Sequence, residues 1–374
     1  MKPAKLYVHV PFCHAKCSYC DFYSTPRREW MEAYVDAVVN EWESRKSSAP
    51  DGIDTIYLGG GTPSSLPDEL LLRLVSALTP ARASLREFTI EANPEDVTAE
   101  WVKFVTEKTS ADRISMGIQS FADSELRLIS RRHSATEAAE AYKRLRDGGI
   151  GNISCDLIYG LPLQTLDSWK MSLDTLLSLH PEHISAYLLS YEDGTKLSAM
   201  RSTGKVTETE EQILTEMYRY LCEATRDAGY LHYEISNFAL PGKEAVHNSS
   251  YWNGSTYIGL GPGAYSWDGT YRSYNPSDLK RYIACQGKNF SITEEETRDN
   301  RFNDTVMTAL RTSRGLNLTE LENEFGAETV SELRQELPSL ISQGHLRLTS
   351  DDVLTIPEEH WLISNSILLP LIRV

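Results

Sequence analysis

Short apolar, β-branched runs alternate with amphipathic helical patterns through the first half of the chain. The runs cover residues 6–12, 53–61, 87–94, 113–121, 152–162 and 183–190, and helical periodicity lies between them at 30–45, 70–78, 136–147 and 166–179. Strands that are joined through helices run parallel, with right-handed crossovers. The sequence therefore predicts an α/β fold with a parallel sheet, as an open doubly wound sheet or as a full or partial barrel.

Polar and glycine-rich residues follow five consecutive predicted strands. They are three cysteines after the first strand, GGGTPS (59–64) after the second, and then Glu91, Gln119 and Asp156. Functional groups of parallel α/β folds lie just past the carboxyl ends of the strands. The sequence thus predicts one site, built from five strand ends.

The overall charge excludes one class of function. The chain carries 37 Lys+Arg and 53 Asp+Glu, a formal net charge of −16, so general attraction to nucleic acid or anionic lipid is not expected. No apolar run approaches eighteen residues, and the first residues do not resemble a secretory signal. We expect a soluble cytoplasmic protein, in which clustered cysteines are metal ligands or catalytic thiols rather than disulfides.

Three of the six cysteines stand close together as Cys13-x3-Cys17-x2-Cys20. Three thiolates on one loop suit an iron–sulfur cubane in which one iron keeps a free coordination position. A zinc site with His9 or His14 as fourth ligand is an alternative, as is a disulfide with one spare thiol. The other cysteines are expected to be buried and structural: Cys155, Cys222 and Cys285.

This cysteine spacing, with Tyr19 before the third cysteine and a strand before the loop, resembles the cluster loop of radical S-adenosylmethionine (SAM) proteins. The resemblance implies a six-stranded partial (βα) barrel, a [4Fe-4S] cluster on the three cysteines, and SAM bound at the free iron. It also implies a set of SAM-binding residues: Tyr7, Gly60, Gly61, Thr62, Glu91, Gln119, Arg131 and Asp156.

Two further features separate branches of this family. The oxygen-independent coproporphyrinogen oxidases carry another cysteine two residues beyond the third, where this chain has Phe22, and the continuation CDFYS is instead similar to the branch regarded as heme chaperones. The sequence HNSSYW resembles the HNxxYW motif of that branch, which implies heme binding near His247, Asn248, Tyr251 and Trp252. Without the resemblance, this histidine would be interpreted as a hydrogen-bonded core residue.

The pattern changes after a helix near 210–228. We predict domains at 1–229 (partial barrel), 230–290 (irregular, rich in aromatic residues and glycine) and 291–374 (winged-helix-like α+β). The segment GLGPGAYS (259–266) fits either a loop that lines the same site or a tight turn that leads into a strand. An apolar stripe is expected to form the core of the last domain: Val306, Leu310, Leu337, Leu340 and Ile341.

Three functions follow as hypotheses. The first is a heme chaperone that passes heme to acceptor proteins such as cytochromes or respiratory enzymes, with membrane contact only through those partners. The second is an enzyme of the oxygen-independent coproporphyrinogen III oxidase or dehydrogenase type, acting on a porphyrinogen. The third, a DNA-binding redox regulator, is disfavoured because residues 290–374 contain 15 Asp+Glu and 7 Arg without Lys, a net charge of −8.

Overall fold

Six parallel strands lie side by side in chain order in the computed structural model, which describes residues 3–79 and 85–373. The strands are β1 Ala4–Val10, β2 Ile53–Gly60, β3 Glu87–Ala92, β4 Arg113–Gln119, β5 Ile153–Tyr159 and β6 His183–Leu188. The helices among and after them are α1 Met31–Arg45, α2 Asp68–Leu78, α3 Ala99–Lys108, α4 Asp123–Leu128, α5 Ala135–Asp147, α6 Leu166–Leu179, α7 Lys196–Ser202 and α8 Glu211–Asp227. The predicted α/β fold with six parallel βα units is confirmed.

Side-chain caps set where several crossover helices begin. Ser134 accepts a hydrogen bond from the backbone N–H of Glu137 while the Glu137 carboxylate accepts one from the Ser134 N–H, which forms a capping box at the start of α5. Thr165 and Ser168 form the equivalent box at α6. These caps satisfy N–H groups that have no partner inside the helix, so they fix the register of each helix against the sheet.

The sequence had suggested that the segment 230–275 is irregular, but it contains regular strands and a helix. It forms β7 Leu231–Glu234, β8 Asn237–Ala239, α9 Val246–Trp252, β9 Tyr257–Leu260, β10 Tyr265–Trp267 and β11 Arg272–Tyr274. With α10 Leu279–Ala284 and β12 Ile292–Glu294, the sheet order becomes β12-β11-β10-β9-β1-β2-β3-β4-β5-β6-β8-β7. Strands of three or four residues are too short to show a period of two, and they form here because both edges of the six-stranded sheet offer unpaired backbone groups.

The remaining residues form the predicted winged-helix-like module. It comprises α11 Arg298–Leu310, β13 Leu316–Asn317, α12 Leu318–Phe325, α13 Ala327–Ser342, β14 Arg347–Leu348, β15 Val353–Thr355 and α14 Ser364–Leu368, with its small sheet in the order β13-β15-β14. Val306, Leu310 and Leu337 are buried as expected and Leu340 is half-buried. Ile341 is 38% exposed, so its assignment to the core was wrong: it directly follows Leu340 and therefore turns about 100° away from it around the helix.

No helix among the described residues is both long enough and apolar enough to cross a bilayer.

A buried carboxylate on α1 fastens the sheet extension to the barrel. Glu41 accepts hydrogen bonds from the Gly261 N–H at 2.9 Å, from Asn275 Nδ2 at 2.9 Å and from the Tyr282 hydroxyl at 2.6 Å. Its charge is paired with Arg45 Nη1 at 2.9 Å, and Arg45 also donates to the Gly259 carbonyl. Glu41 therefore holds the β9–β10 turn against α1.

Replacing Glu41 with alanine should destabilise the protein strongly. The change leaves three buried donors without their acceptor and one partly buried cation without its counter-charge, and breaking such a pair costs about 3–5 kcal/mol. The control is Glu43→Ala on the same helix, because Glu43 forms only an exposed ion pair with Lys46, worth about 0–1 kcal/mol. Chemical denaturation measures both; equal losses in the two variants would contradict this role of Glu41.

Candidate functional site

The cysteine loop is held at three places by backbone hydrogen bonds. The Cys13 N–H donates to the Thr25 carbonyl at 3.1 Å, which closes the loop on itself. The Ser18 N–H donates to the Ile129 carbonyl at 3.0 Å, and the Leu197 N–H donates to the Ser18 carbonyl at 2.7 Å. The loop thus bridges the residues after α4 and the start of α7, while all six cysteines are free.

One guanidinium joins the loop to two strand ends. Arg131 Nη1 lies 3.5 Å from Cys17 Sγ, and Nη2 donates to Asn93 Oδ1 at 2.7 Å and to the Gly117 carbonyl at 2.5 Å. Asn93 Nδ2 in turn donates to Thr62 Oγ1, which lies 3.3 Å from Cys13 Sγ. Two of the three sulfurs are therefore part of one hydrogen-bond network with the strand ends.

The glycine turn after β2 packs directly against the first strand. A Cβ at Gly61 would lie 2.5 Å from the Val10 carbonyl oxygen, and one at Gly60 (φ +97°) would lie 2.3 Å from His9 Nδ1. Only glycine allows this approach. The N–H groups of Gly61 and Thr62 donate to the carbonyls of Val10 and Phe12, so these two amides serve the fold and a ligand would have to use other atoms of the turn.

A cavity of about 440 Å³ opens in front of the cysteine loop and lies within the size range of small-molecule sites. It is lined by all three cysteines of the loop and by seven of the eight residues predicted to bind SAM: Gly60, Gly61, Thr62, Glu91, Gln119, Arg131 and Asp156. The eighth, Tyr7, does not line it. Tyr7 lies three residues before the carboxyl end of β1, and its hydroxyl is 3.2 Å from His9 Nδ1.

Several cavity residues were not singled out from the sequence. Asn93 and Ser115 line the wall between β3 and β5, and Tyr187 and Glu192 close the side after β6. Asn93 follows the end of β3 in the stretch EANP, so its place after a strand was a usable signal. Tyr187 and Glu192 gave no such signal, because the sequence around them is typical of an ordinary buried strand and turn.

Two carboxyl groups in the cavity titrate far above their ordinary range. Burial raises the pKa of Glu91 to about 7, opposed by the hydrogen bond that the Tyr57 hydroxyl donates at 2.8 Å and reinforced by the charge of Asp156. Burial also raises the pKa of Asp156 to about 6, opposed by its hydrogen bond with Ser185. Perturbed carboxyls in a cavity are typical of functional sites.

The three loop sulfurs do not form a compact ligand cluster in the structure. Among the described residues, one group of three Cys, His, Asp or Glu ligand atoms lies within 4.8 Å of one another, and it does not include the loop cysteines. Tetrahedral zinc with bonds of 2.3 Å needs sulfurs about 3.8 Å apart. At least one pair of loop sulfurs therefore lies more than 4.8 Å apart, which is wider than a bound zinc ion requires, whereas the all-thiol donor set suits zinc and an iron–sulfur cluster alike.

The histidine of HNSSYW lies inside the protein. His247 is 0% exposed; its Nδ1 lies 2.9 Å from Thr55 Oγ1 and its Nε2 lies 2.9 Å from the Tyr251 hydroxyl. Burial lowers the pKa of His247 to about 3, so the ring is neutral. Iron ligation by His247 would break one of these two bonds. Asn248 and Trp252 are half-buried and Tyr251 is 37% exposed.

The segment GLGPGAYS does not line the cavity, so its interpretation as part of the same site was wrong. Gly261 (φ +89°) packs against β1 and does not line the cavity. A Cβ at Gly261 would lie 2.5 Å from the His9 carbonyl oxygen. Its alternative interpretation, a tight turn into a strand, is confirmed by β10. Cys155 and Cys222 are buried as expected, and Cys285 is half-buried.

The raised pKa of Glu91 predicts a specific pH dependence of stability. Because the folded pKa of about 7 exceeds the ordinary value of 4.5, the folded protein holds a proton that the unfolded chain loses, and stability falls as the pH rises between these values. Glutamine does not titrate, so Glu91→Gln should remove this pH dependence. The unfolding free energy of the variant minus that of wild type should rise by about 3 kcal/mol between pH 4.5 and pH 7.

Chemical denaturation at several pH values measures this difference. Glu69→Gln, an exposed carboxylate on α2, is the control and should give a constant difference. A pH-independent difference for Glu91→Gln would show that folding leaves the pKa of Glu91 at its ordinary value.

Comparisons with known proteins agree with this geometry. The family model described as "Radical SAM superfamily" matches residues 7–176. A protein of Lactococcus lactis named "Heme chaperone HemW" is 33% identical over 91% of this chain and 90% of its own length, and one of the same name from Bacillus subtilis is 33% identical over 96% and 97%. Among solved structures, coproporphyrinogen III oxidase (HemN) from Escherichia coli superimposes with a TM-score of 0.82 at 22% identity, covering 99% of this chain and 90% of that one.

The likeness to the oxidase shows the fold alone, because the identity is low. The two chaperone relatives are more similar, and they match along almost the whole chain. The chain therefore belongs to the radical SAM superfamily and, within it, to the family of HemW heme chaperones.

Proposed function

We propose that this protein binds heme and delivers it to acceptor proteins such as cytochromes or respiratory enzymes. The observation that carries the proposal is a groove of about 600 Å³ beside the HNSSYW helix, lined by Tyr251 and Trp252. Trp267 and Met307 line the same groove. Flat aromatic rings and a thioether are suitable neighbours for a porphyrin, and the groove has the volume of a small-molecule site.

The groove also offers a cation for the heme propionates. Arg311 lines it, and no carboxylate of the described residues lies within 4 Å of its guanidinium. One Nη donates to Asn365 Oδ1, while Nε is buried without a partner. Burial lowers the pKa of Arg311, which reflects a charge that lacks compensation. A propionate would supply that compensation.

In this proposal His247 positions the aromatic wall. Its Nε2 holds the Tyr251 hydroxyl, and Glu87 of β3 accepts hydrogen bonds from the N–H groups of Val246 and His247 at 2.7 and 3.0 Å. The α9 helix is therefore fixed to the barrel before heme arrives. Asn248 lies on the first turn of the same helix, beside His247.

The groove and the cysteine loop lie at opposite ends of the barrel strands. His247 contacts Thr55, near the start of β2, whereas Gly60 at the end of β2 lines the cavity in front of the loop. Five residues of strand span about 16 Å. Heme in the groove would thus be separated from a cluster and SAM in the cavity, which supports a chaperone that carries heme rather than an enzyme that attacks it.

The cavity fits a [4Fe-4S] cluster with SAM. Cys13, Cys17 and Cys20 would hold the cluster, which when bound supplies single electrons and an open iron position for SAM. Arg131 would hold the Cys17 sulfur in place and offset the negative charge of the thiolates. Glu91 and Asp156 would face the cationic parts of SAM, with Gly60, Gly61, Thr62 and Gln119 completing the wall.

A second candidate is a porphyrinogen-modifying enzyme of the coproporphyrinogen III oxidase type. The fold shared with that oxidase favours it. Phe22, 61% exposed on the cavity rim, stands against it, because the oxidases carry a cysteine there. The acidic C-terminal module would serve as a lid or as a docking surface for the acceptor, and nucleic acid is not a partner in this proposal.

Heme titration of the anaerobically reconstituted protein, followed by the Soret band, tests the groove. Trp252→Ala removes stacking surface and Arg311→Gln removes the cation, so each should raise the heme Kd about tenfold, equivalent to about 1.4 kcal/mol. His247→Ala should weaken binding as well, by releasing Tyr251. Trp30→Ala changes a half-buried tryptophan that does not line the groove, so it should leave the Kd unchanged.

Two functional arms accompany the titration. The heme-loaded protein is mixed with an apo b-type cytochrome, and transfer is followed by the shift of the Soret band. Separately, the protein is incubated with SAM, reductant and coproporphyrinogen III, and no vinyl product should form. Efficient decarboxylation would overturn the chaperone proposal, and unchanged heme affinity in both groove variants would overturn this heme site.

A further inference from the structure

Three potential metal ligands meet where the barrel contacts the C-terminal module. Cys222 lies on α8, His232 on β7, and Glu358 begins the 3-10 turn Glu358–Ile363. The sulfur of Cys222 lies 4.0 Å from His232 Nδ1, and Nδ1 lies 2.8 Å from Glu358 Oε1. All three ligand atoms lie within 4.8 Å of one another, which no other such group among the described residues achieves.

These distances leave room for one ion between the three atoms. A triangle with sides of 4.0 and 2.8 Å and a third side of at most 4.8 Å has a point about 2.0–2.4 Å from every corner. Zinc bonds are about 2.3 Å to sulfur, 2.0–2.1 Å to imidazole and 2.0–2.2 Å to carboxylate. A mixed sulfur, nitrogen and oxygen set suits a borderline cation such as Zn²⁺ better than Mg²⁺ or Ca²⁺.

The surroundings hold the histidine and leave one side open. The His232 ring stacks on Phe238 at 3.9 Å and meets Trp361 edge-on at 4.4 Å, so its orientation is fixed without the metal. A cavity of about 390 Å³ borders the three ligands and would admit a water as fourth ligand. Arg226 pairs with Glu358 from the exposed side, and its side chain is 61% exposed, so it can move into solvent when a cation arrives.

We propose that Cys222, His232 and Glu358 form a zinc site that clamps the C-terminal module onto the end of α8 and β7. Nothing in the cysteine loop or the heme groove takes part in it. Two ligands come from the barrel and its sheet extension, and one comes from the module, so the ion would cross-link segments that are 126 residues apart in sequence. The clamp would fix the module relative to the barrel.

When one zinc ion binds, one proton is released. Zn²⁺ bonds to the Cys222 thiolate, to Nδ1 of neutral His232 and to the Glu358 carboxylate. The thiol proton goes to solvent, and the proton that Nδ1 donates to Glu358 in the free protein moves by way of solvent to Nε2, so the ring stays neutral and its hydrogen bond to Glu358 is lost. Because zinc binds the thiolate and displaces the thiol proton, zinc affinity should rise with pH.

Equilibrium dialysis of the cluster-loaded protein against buffered Zn²⁺ tests the site, with zinc and iron per chain measured by elemental analysis. Wild type should bind one zinc without losing iron. Its zinc K-edge spectrum should show one sulfur at about 2.3 Å and nitrogen or oxygen at about 2.0–2.2 Å. Zinc should also raise the melting temperature.

Matched variants separate this site from the loop cysteines. Cys222→Ser and Glu358→Gln should each weaken zinc binding at least tenfold, with the sulfur shell absent in Cys222→Ser, whereas Cys285→Ser should behave as wild type. Glu358 is partly exposed, so its glutamine variant should fold even if Cys222→Ser does not. The proposal is overturned if wild type binds no zinc, if the zinc shell contains two or more sulfurs, or if both variants bind zinc as wild type does.

Discussion

One partly buried cation joins the cysteine loop, already held by backbone hydrogen bonds, to the ends of two strands. Arg131 donates to Cys17 Sγ, to the side chain of Asn93 at the end of β3, and to the Gly117 carbonyl in β4. Gln119 and Ser130, on either side of α4, both have positive φ, at 71° and 62°. Such backbone is costly for non-glycine residues and persists only where its surroundings hold it. The strained connection thus brings Arg131 over the loop, and the geometry of the site depends on that contact.

Much of this arrangement could be predicted from the sequence. The βα period, the three thiols and the polar residues after successive strands fixed which side chains would meet, because parallel strands bring their carboxyl ends to one edge. The position of Asn93 in the cavity could have been predicted for the same reason. The short strands of 230–275 could not be predicted, since they form only when β1 and β6 present free edges. The residues alone predicted His247 to be a hydrogen-bonded core residue, which the structure confirms, but its partner Thr55, 192 residues away in the chain, could not be named from the sequence.

The two ends of the barrel have different chemistry. At the carboxyl ends of the strands, thiols, carboxyls with raised pKa values and one guanidinium surround a cavity. At the opposite end, Glu87 and Thr55 hold α9, whose Tyr251 and Trp252 face a separate aromatic groove. In the proposed function, one end would hold the cluster and SAM, and the other end, next to the C-terminal module, would bind heme and meet the acceptor.

The central claim is that three cysteines of one loop hold a cubane whose fourth iron is open to SAM. ⁵⁷Fe Mössbauer spectroscopy of the anaerobically reconstituted protein, with and without SAM, tests it most directly. We predict four irons per chain and a change in the spectrum of one of the four when SAM is added, with the cluster lost in Cys17→Ala. A two-iron or zinc centre, or a four-iron spectrum that SAM leaves unchanged, would contradict the claim.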